Sequence, residues 1–135
     1  MELMNILLVE DDPDDVELLE SAFKDYNIPF EFTVITQGDK VLSHLENCNE
    51  YPDVIVLDLN LPKMHGREIL TRIKMNDGFK TIPLLVLTTS STKTDMDFCL
   101  EAGADHYLVK PSTMSAYSQI IDIILSLADT EKTKS

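Results

Sequence analysis

The sequence predicts an α/β protein built on a doubly wound, five-stranded parallel sheet in the order 2-1-3-4-5, with helices on both faces. Three observations point there. Five short apolar runs, Met4–Val9, Phe32–Ile35, Val54–Leu57, Leu84–Leu87 and Tyr107–Val109, are each followed by a segment of helical periodicity. Four of the runs are dense in Val, Ile and Leu with little alternation, the mark of strands buried on both faces. Strict strand–helix alternation with right-handed crossovers then leaves few topologies, and 2-1-3-4-5 is a common one at this size.

Each element has a local reason. Phe32–Ile35 is interrupted by Thr33, which suits an edge strand better than a central one. Before the first helix, Asp12 suits the N-cap and Pro13 the first helical position, while Asp14 and Asp15 suit the positive end of the dipole. Val16, Leu19, Phe23 and Tyr26 follow at helical spacing. Gly38 to Asn47 carries Val41, Leu42 and Leu45, and Arg67 to Met75 carries Ile69, Leu70 and Ile73 before the Asp77-Gly78 turn. Thr94 to Ala102 carries Met96, Cys99 and Leu100, with Gly103 placed as a C-cap. Ser112 to Ala128 carries Tyr117, Ile120, Ile121, Ile124 and Leu127. One domain over residues 1–128 and a short polar tail over 129–135 are therefore expected.

Composition narrows the function. Of 135 residues, 44% are hydrophobic and 26% charged, the balance of a soluble globular chain. The net charge of −13 repels phosphodiesters and anionic lipid, so neither nucleic acid nor a membrane is an expected partner. A protein with basic patches is. The apolar run Ile6–Val9 is too short for a signal peptide or a span. Cys48 and Cys99 form no CxxC and have no metal-ligand spacing to His44, His65 or His106, so two reduced thiols in a cytoplasmic protein are expected.

Chemistry collects at one end of the predicted sheet. Ligands of open parallel sheets bind beyond the carboxyl ends of the strands. There the sequence places Glu10, Asp11 and Asp12 after the first strand and Asp58 after the third. Thr88 and Thr89 follow the fourth, and Lys110-Pro111 the fifth. The first and third strands are neighbours, so their carboxylates crowd together and call for a cation between them. A hard divalent ion held by few carboxylates and several waters describes Mg²⁺. With a hydroxyl and an ammonium reaching in, the pocket suits a phosphoryl group, and Asp58 is the carboxylate placed to become an aspartyl phosphate. Taken singly, the acids after the first strand could be a capping cluster, Asp58 a solvated strand-end acid and Lys110-Pro111 a plain turn. Their coincidence at four strand ends favours a site.

These residues resemble the receiver domain of two-component response regulators, over about residues 4–128. The matching motifs are Val9-Glu10-Asp11-Asp12-Pro13, Asp58-Leu59-Asn60-Leu61-Pro62 with Gly66, Thr88, and Tyr107-Leu108-Val109-Lys110-Pro111. The resemblance implies a flavodoxin-like (βα)5 fold. It also implies that Asp58 accepts a phosphoryl group from a phosphohistidine of a histidine kinase or phosphotransfer protein. Asp11 would bind Mg²⁺ directly and Glu10 through water, with Asp58 and the Asn60 backbone carbonyl completing the metal set. Lys110 would pair with Asp58 and then with the phosphoryl oxygens. Thr88 would move to the phosphoryl group and Tyr107 swing inward, remodelling a protein-binding face. The Lys110–Pro111 bond would be cis.

Finer wording, Asp58 to Lys63 with Gly66-Arg67-Glu68 and Thr88-Thr89-Ser90, resembles the small regulators that partner bacterial phytochromes. Glu10 stands where Asp is commoner in the family and Thr89 where a smaller residue is usual. The charge pattern with which some members dimerise through the fifth helix is missing, so a homodimer would need another geometry. No output domain follows residue 128, so a stand-alone, non-enzymatic switch acting on a downstream protein is expected. Phosphohydrolases with an aspartate nucleophile usually carry a second acid two residues on, and Asn60 stands there. The alternative is a phosphate-independent binding module.

Overall fold

In the computed structural model, which describes the backbone of residues 3–134 and the side chains through Ala128, five strands form one parallel sheet in the order β2-β1-β3-β4-β5. The strands are β1 (Met4–Val9), β2 (Phe30–Ile35), β3 (Val54–Leu57), β4 (Leu84–Thr88) and β5 (His106–Val109). Five helices alternate with them: α1 (Pro13–Lys24), α2 (Val41–Asn47), α3 (Gly66–Met75), α4 (Lys93–Ala102) and α5 (Tyr117–Lys134). The doubly wound fold read from the sequence is the fold found.

The alternation of side chains along each strand divides the core in two. Leu7 and Val9 of β1 face one way and, with Ile55, Leu57 and Val86, pack against α2, α3 and α4. Ile6 and Leu8 face the other way and, with Val54, Val56, Leu85 and Leu87, pack against α1 and α5. β1, β3 and β4 are buried along nearly their whole length, which is why they lack polar alternation. β2 alternates and lies at the edge, held to α1 by the rings of Phe23, Phe30 and Phe32, whose centroids are 5.2–5.5 Å apart.

The capping signals act as read. Asp12 is extended and its side chain accepts from the Asp14 N–H at 2.9 Å, with Pro13 in the first turn. Gly103 ends α4 at φ 114°, a left-handed position that suits glycine.

Several strand and helix ends differ from the sequence reading by one or two residues, and the later helical segments differ further in two places and at the C-terminus. A 3₁₀ turn over Gly38–Lys40 precedes α2. The last helix begins at Tyr117, after the extended Thr113 and a 3₁₀ turn at Met114–Ala116, rather than at Ser112. Its backbone continues to Lys134; the polar tail expected at 129–135 falls outside the residues whose side chains are described. One expectation fails outright. Every peptide bond among the described residues is trans, Lys110–Pro111 included. The tertiary amide leaves an intrinsic preference of only about 0.5–1 kcal/mol between isomers, so the residue types alone do not decide it.

Candidate functional site

The carboxyl ends of β1, β3 and β5 deliver their next residues to one cleft of about 390 Å³. Glu10, Asp11, Asp12, Asp15, Asp58, Asn60, Thr89 and Lys110 line it. The register explains the meeting. Val9 pairs with Leu57, so Glu10 and Asp58 leave adjacent strands at the same level, and the Asp58 N–H bonds the Val9 carbonyl at 3.0 Å. Gly66 closes the far side. A Cβ there would run into the Asp58 carbonyl and the Leu59 backbone, so only glycine lets α3 start this close to the end of β3. The Gly66 N–H in turn bonds the Leu59 carbonyl at 2.8 Å.

Asp58 is buried and held on both carboxylate oxygens. Oδ1 accepts from the Leu59 N–H at 2.7 Å and, more weakly, from the Asn60 N–H at 3.4 Å. Oδ2 accepts from the Lys110 ammonium at 3.1 Å. Lys110 reaches two further carboxylates, Glu10 Oε1 at 2.6 Å and Asp15 Oδ2 at 2.7 Å. Burial alone would lower the Lys110 ammonium; Asp15, Glu10 and Asp58 outweigh it and hold the group above its usual value. Glu10 goes the other way. Burial pushes its carboxyl up to about 7, with the Asp58 charge adding to the rise and Lys110 opposing it.

Carboxylate oxygens of Glu10, Asp11 and Asp58 all lie within 4.8 Å of one another, the one such group of potential metal ligands among the described residues. Glu10 and Asp58 are buried and Asp11 is exposed at the rim. Hard oxygen donors, one of them open to water, fit a Mg²⁺-type ion. No histidine joins them. His65 instead caps α3, its Nδ1 accepting from the Arg67 N–H at 3.1 Å, and His106 is exposed on β5 opposite the inward Tyr107.

The remaining sequence-selected residues sit next to this cluster rather than in it. Thr88 is fully buried, and its hydroxyl oxygen accepts from the Ser90 N–H at 3.3 Å. The Tyr107 ring already lies inward, its hydroxyl donating to the Ser90 carbonyl at 2.8 Å. Ser90 thus touches both, and its own hydroxyl donates to Asp95 at 2.6 Å. Asp95 in turn faces Arg67 at 3.5 Å, and that guanidinium lies 5.1 Å from the centroid of the Phe98 ring.

Two residues of this arrangement were not selected from sequence as site members. Asp15 reads as a dipole acid, and Asp95 is one of several acids in the Thr94–Ala102 segment. The one available signal for Asp15 was its place three residues past the N-cap, on the inward side of the first turn.

Comparison with known proteins agrees with the geometry. The pattern described as the response regulator receiver domain matches residues 6–122. Response regulator Rcp1 of Synechocystis is 36% identical over 126 residues, covering 90% of this chain and 86% of that protein. The probable methanogenesis regulatory protein FilR2 of Methanothrix harundinacea is 30% identical, covering 88% and 79%. The crystal structure of the phosphorylated cyanobacterial phytochrome response regulator RcpA superposes with a TM-score of 0.84 at 33% identity, covering 91% of both chains. That of the Mn²⁺-bound form of Rcp1 gives 0.80 at 36% identity, covering 91% and 92%. With the family pattern spanning residues 6–122 and these relatives sharing its sequence and fold over about nine-tenths of its length, this chain belongs to the response regulator receiver domain family.

Proposed function

We propose that this receiver takes a phosphoryl group onto Asp58 from a phosphohistidine of a histidine kinase or phosphotransfer protein, with Mg²⁺ bound, and that the change alters its affinity for a downstream protein. One observation carries the reading: a buried carboxylate at the open end of the sheet, flanked by two further carboxylates and one shared ammonium.

The Leu59 N–H fixes Asp58 Oδ1, so the carboxylate keeps one orientation toward the cleft. A carboxylate oxygen attacks phosphorus, the bond from phosphorus to the imidazole nitrogen breaks, and the electron pair leaves on the histidine. Lys110 balances charge on the phosphoryl oxygens, as it balances Asp58 beforehand. Carboxylates of Glu10, Asp11 and Asp58 and the Asn60 carbonyl would hold the magnesium ion, which supplies further neutralisation of the phosphoryl charge. Thr88 then exchanges its Ser90 contact for a phosphoryl oxygen, loosening the segment that Tyr107 holds. The change is a shift between two states of the Thr88–Tyr107 segment, biased by the covalent charge.

The likeness to Rcp1 and RcpA supports a kinase of the phytochrome class as donor. Incubation with acetyl phosphate and Mg²⁺ is expected to add one phosphoryl mass to the intact protein. The gain should disappear in Asp58→Asn and on hydroxylamine treatment. Failure to gain the mass, together with failure to bind beryllofluoride with Mg²⁺, would leave a phosphate-independent binding module instead.

A further inference from the structure

Asp15 occupies the third residue of α1 (Pro13, Asp14, Asp15), where an acidic side chain commonly turns back to the amide of the N-cap residue. Here that amide is taken. The Asp12 N–H points to Glu10 Oε2 at 3.2 Å, and Asp15 instead reaches across to Lys110 at 2.7 Å. That is shorter than the 3.1 Å from Lys110 to Asp58. An ammonium has three N–H donors, and Glu10, Asp15 and Asp58 present it with three carboxylates. An arriving phosphoryl oxygen therefore has to displace one of them.

We propose that Asp15 is a positioning residue that draws the Lys110 ammonium toward α1 and partly withholds it from the phosphoryl pocket. This deepens the reading of Asp58 as phosphoacceptor and rests on it. Asp15 competes with the phosphoryl oxygens for the same donor and adds a negative charge beside them, so both effects act in one direction. Asp15 is half-buried and Lys110 nearly fully so, which spares the pair much of the solvent screening felt by exposed ion pairs. The site is thereby set for a weaker hold on the phosphoryl group than its other parts allow.

The test is beryllofluoride affinity at saturating Mg²⁺, followed by fluorine NMR, for the wild type, Asp15→Asn and Asp15→Glu. Asp15→Asn is expected to bind roughly three- to tenfold more tightly, the range of a partly screened charge pair. Asp15→Glu, which keeps a charged partner for the lysine, should return close to wild type. A merely structural role would not give that split. Unchanged or weaker binding by Asp15→Asn overturns the proposal.

If the wild type binds no beryllofluoride, the phosphoacceptor reading falls, and a second measurement still decides the pairing. Exchange of the Lys110 ammonium protons, observed by NMR, should be slow in the wild type and accelerate about threefold or more in Asp15→Asn. Equal exchange in the two proteins would show that Asp15 does not hold the ammonium.

Discussion

Lys93 and Lys110 each hold a carboxylate at nearly the same distance, 2.7 Å to Asp97 and 2.6 Å to Glu10. Their surroundings differ. Lys93 and Asp97 lie one turn apart on the outer face of α4, with 87% and 50% of their side-chain surface in water. Lys110 and Glu10 come from different strand ends and keep 8% and 5%. Water already satisfies the first pair, so bringing it together gains little against screening and lost side-chain freedom. In the second pair each charge has given up its hydration and depends on its partner. Three carboxylates then lean on one ammonium, and that dependence makes the cleft responsive. A phosphoryl group or a divalent ion changes the balance of charge there far more than it could at the surface.

Removing the shared cation tests the buried pair directly. Lys110→Ala should cost about 3 kcal/mol of folding stability near neutral pH, because Asp58 is left buried without its ammonium, while Glu10, which Lys110 keeps from rising further, is driven to its neutral form. Urea denaturation monitored by circular dichroism would read it. A cost close to zero would mean that water or counterions reach the cleft freely, and Lys110 would then be no different in kind from Lys93.

The contrast also explains what the sequence disclosed. Strand-end chemistry was legible because a parallel sheet sends the residue after each strand to one edge: Glu10, Asp11 and Asp58 follow buried runs, and Lys110 follows the half-exposed β5. The partners of Lys110 were not fully legible. Asp15 obeys the rules for a helix N-terminus so well that only its place one residue further into the first turn separates it from Asp14, which is exposed. Only the placement of β5 beyond β4, with α1 on the same side, brings the lysine to it. Ser90 was legible only through the resemblance, as part of the Thr88-Thr89-Ser90 run; its contacts to Thr88, Tyr107 and Asp95 come from three elements and leave no local pattern. The Lys110–Pro111 isomer depends on a free-energy difference too small to read from residue types.

A buried group without a paired cation behaves differently. Cys99 lies on the inner face of α4, and burial pushes its thiol up to about 11, with Asp95 adding to the rise and Arg67 opposing it. In the unfolded chain the thiol ionises near 9. Its folded value is the higher, so the neutral thiol's contribution is fully present below pH 9 and is lost as pH rises to about 11. The loss should be on the order of 2 kcal/mol. Stability measured against pH for wild type and Cys99→Ala would show it as a difference that shrinks between pH 9 and 11. A constant difference would mean that the thiol ionises as easily folded as unfolded.

Lys93→Ala removes an ion pair as short as the one at Glu10, yet both ends stay hydrated when it is gone. The variant is expected to unfold at the wild-type denaturant midpoint and to bind beryllofluoride with unchanged affinity. Salt provides the internal check. Raising ionic strength should leave the small Lys93→Ala difference, if any, smaller still, while the Lys110→Ala difference persists, since buried pairs are screened much less. A clear loss in Lys93→Ala at low salt would show that the first turn of α4 relies on this pair, and the distinction between the two lysines would become one of degree.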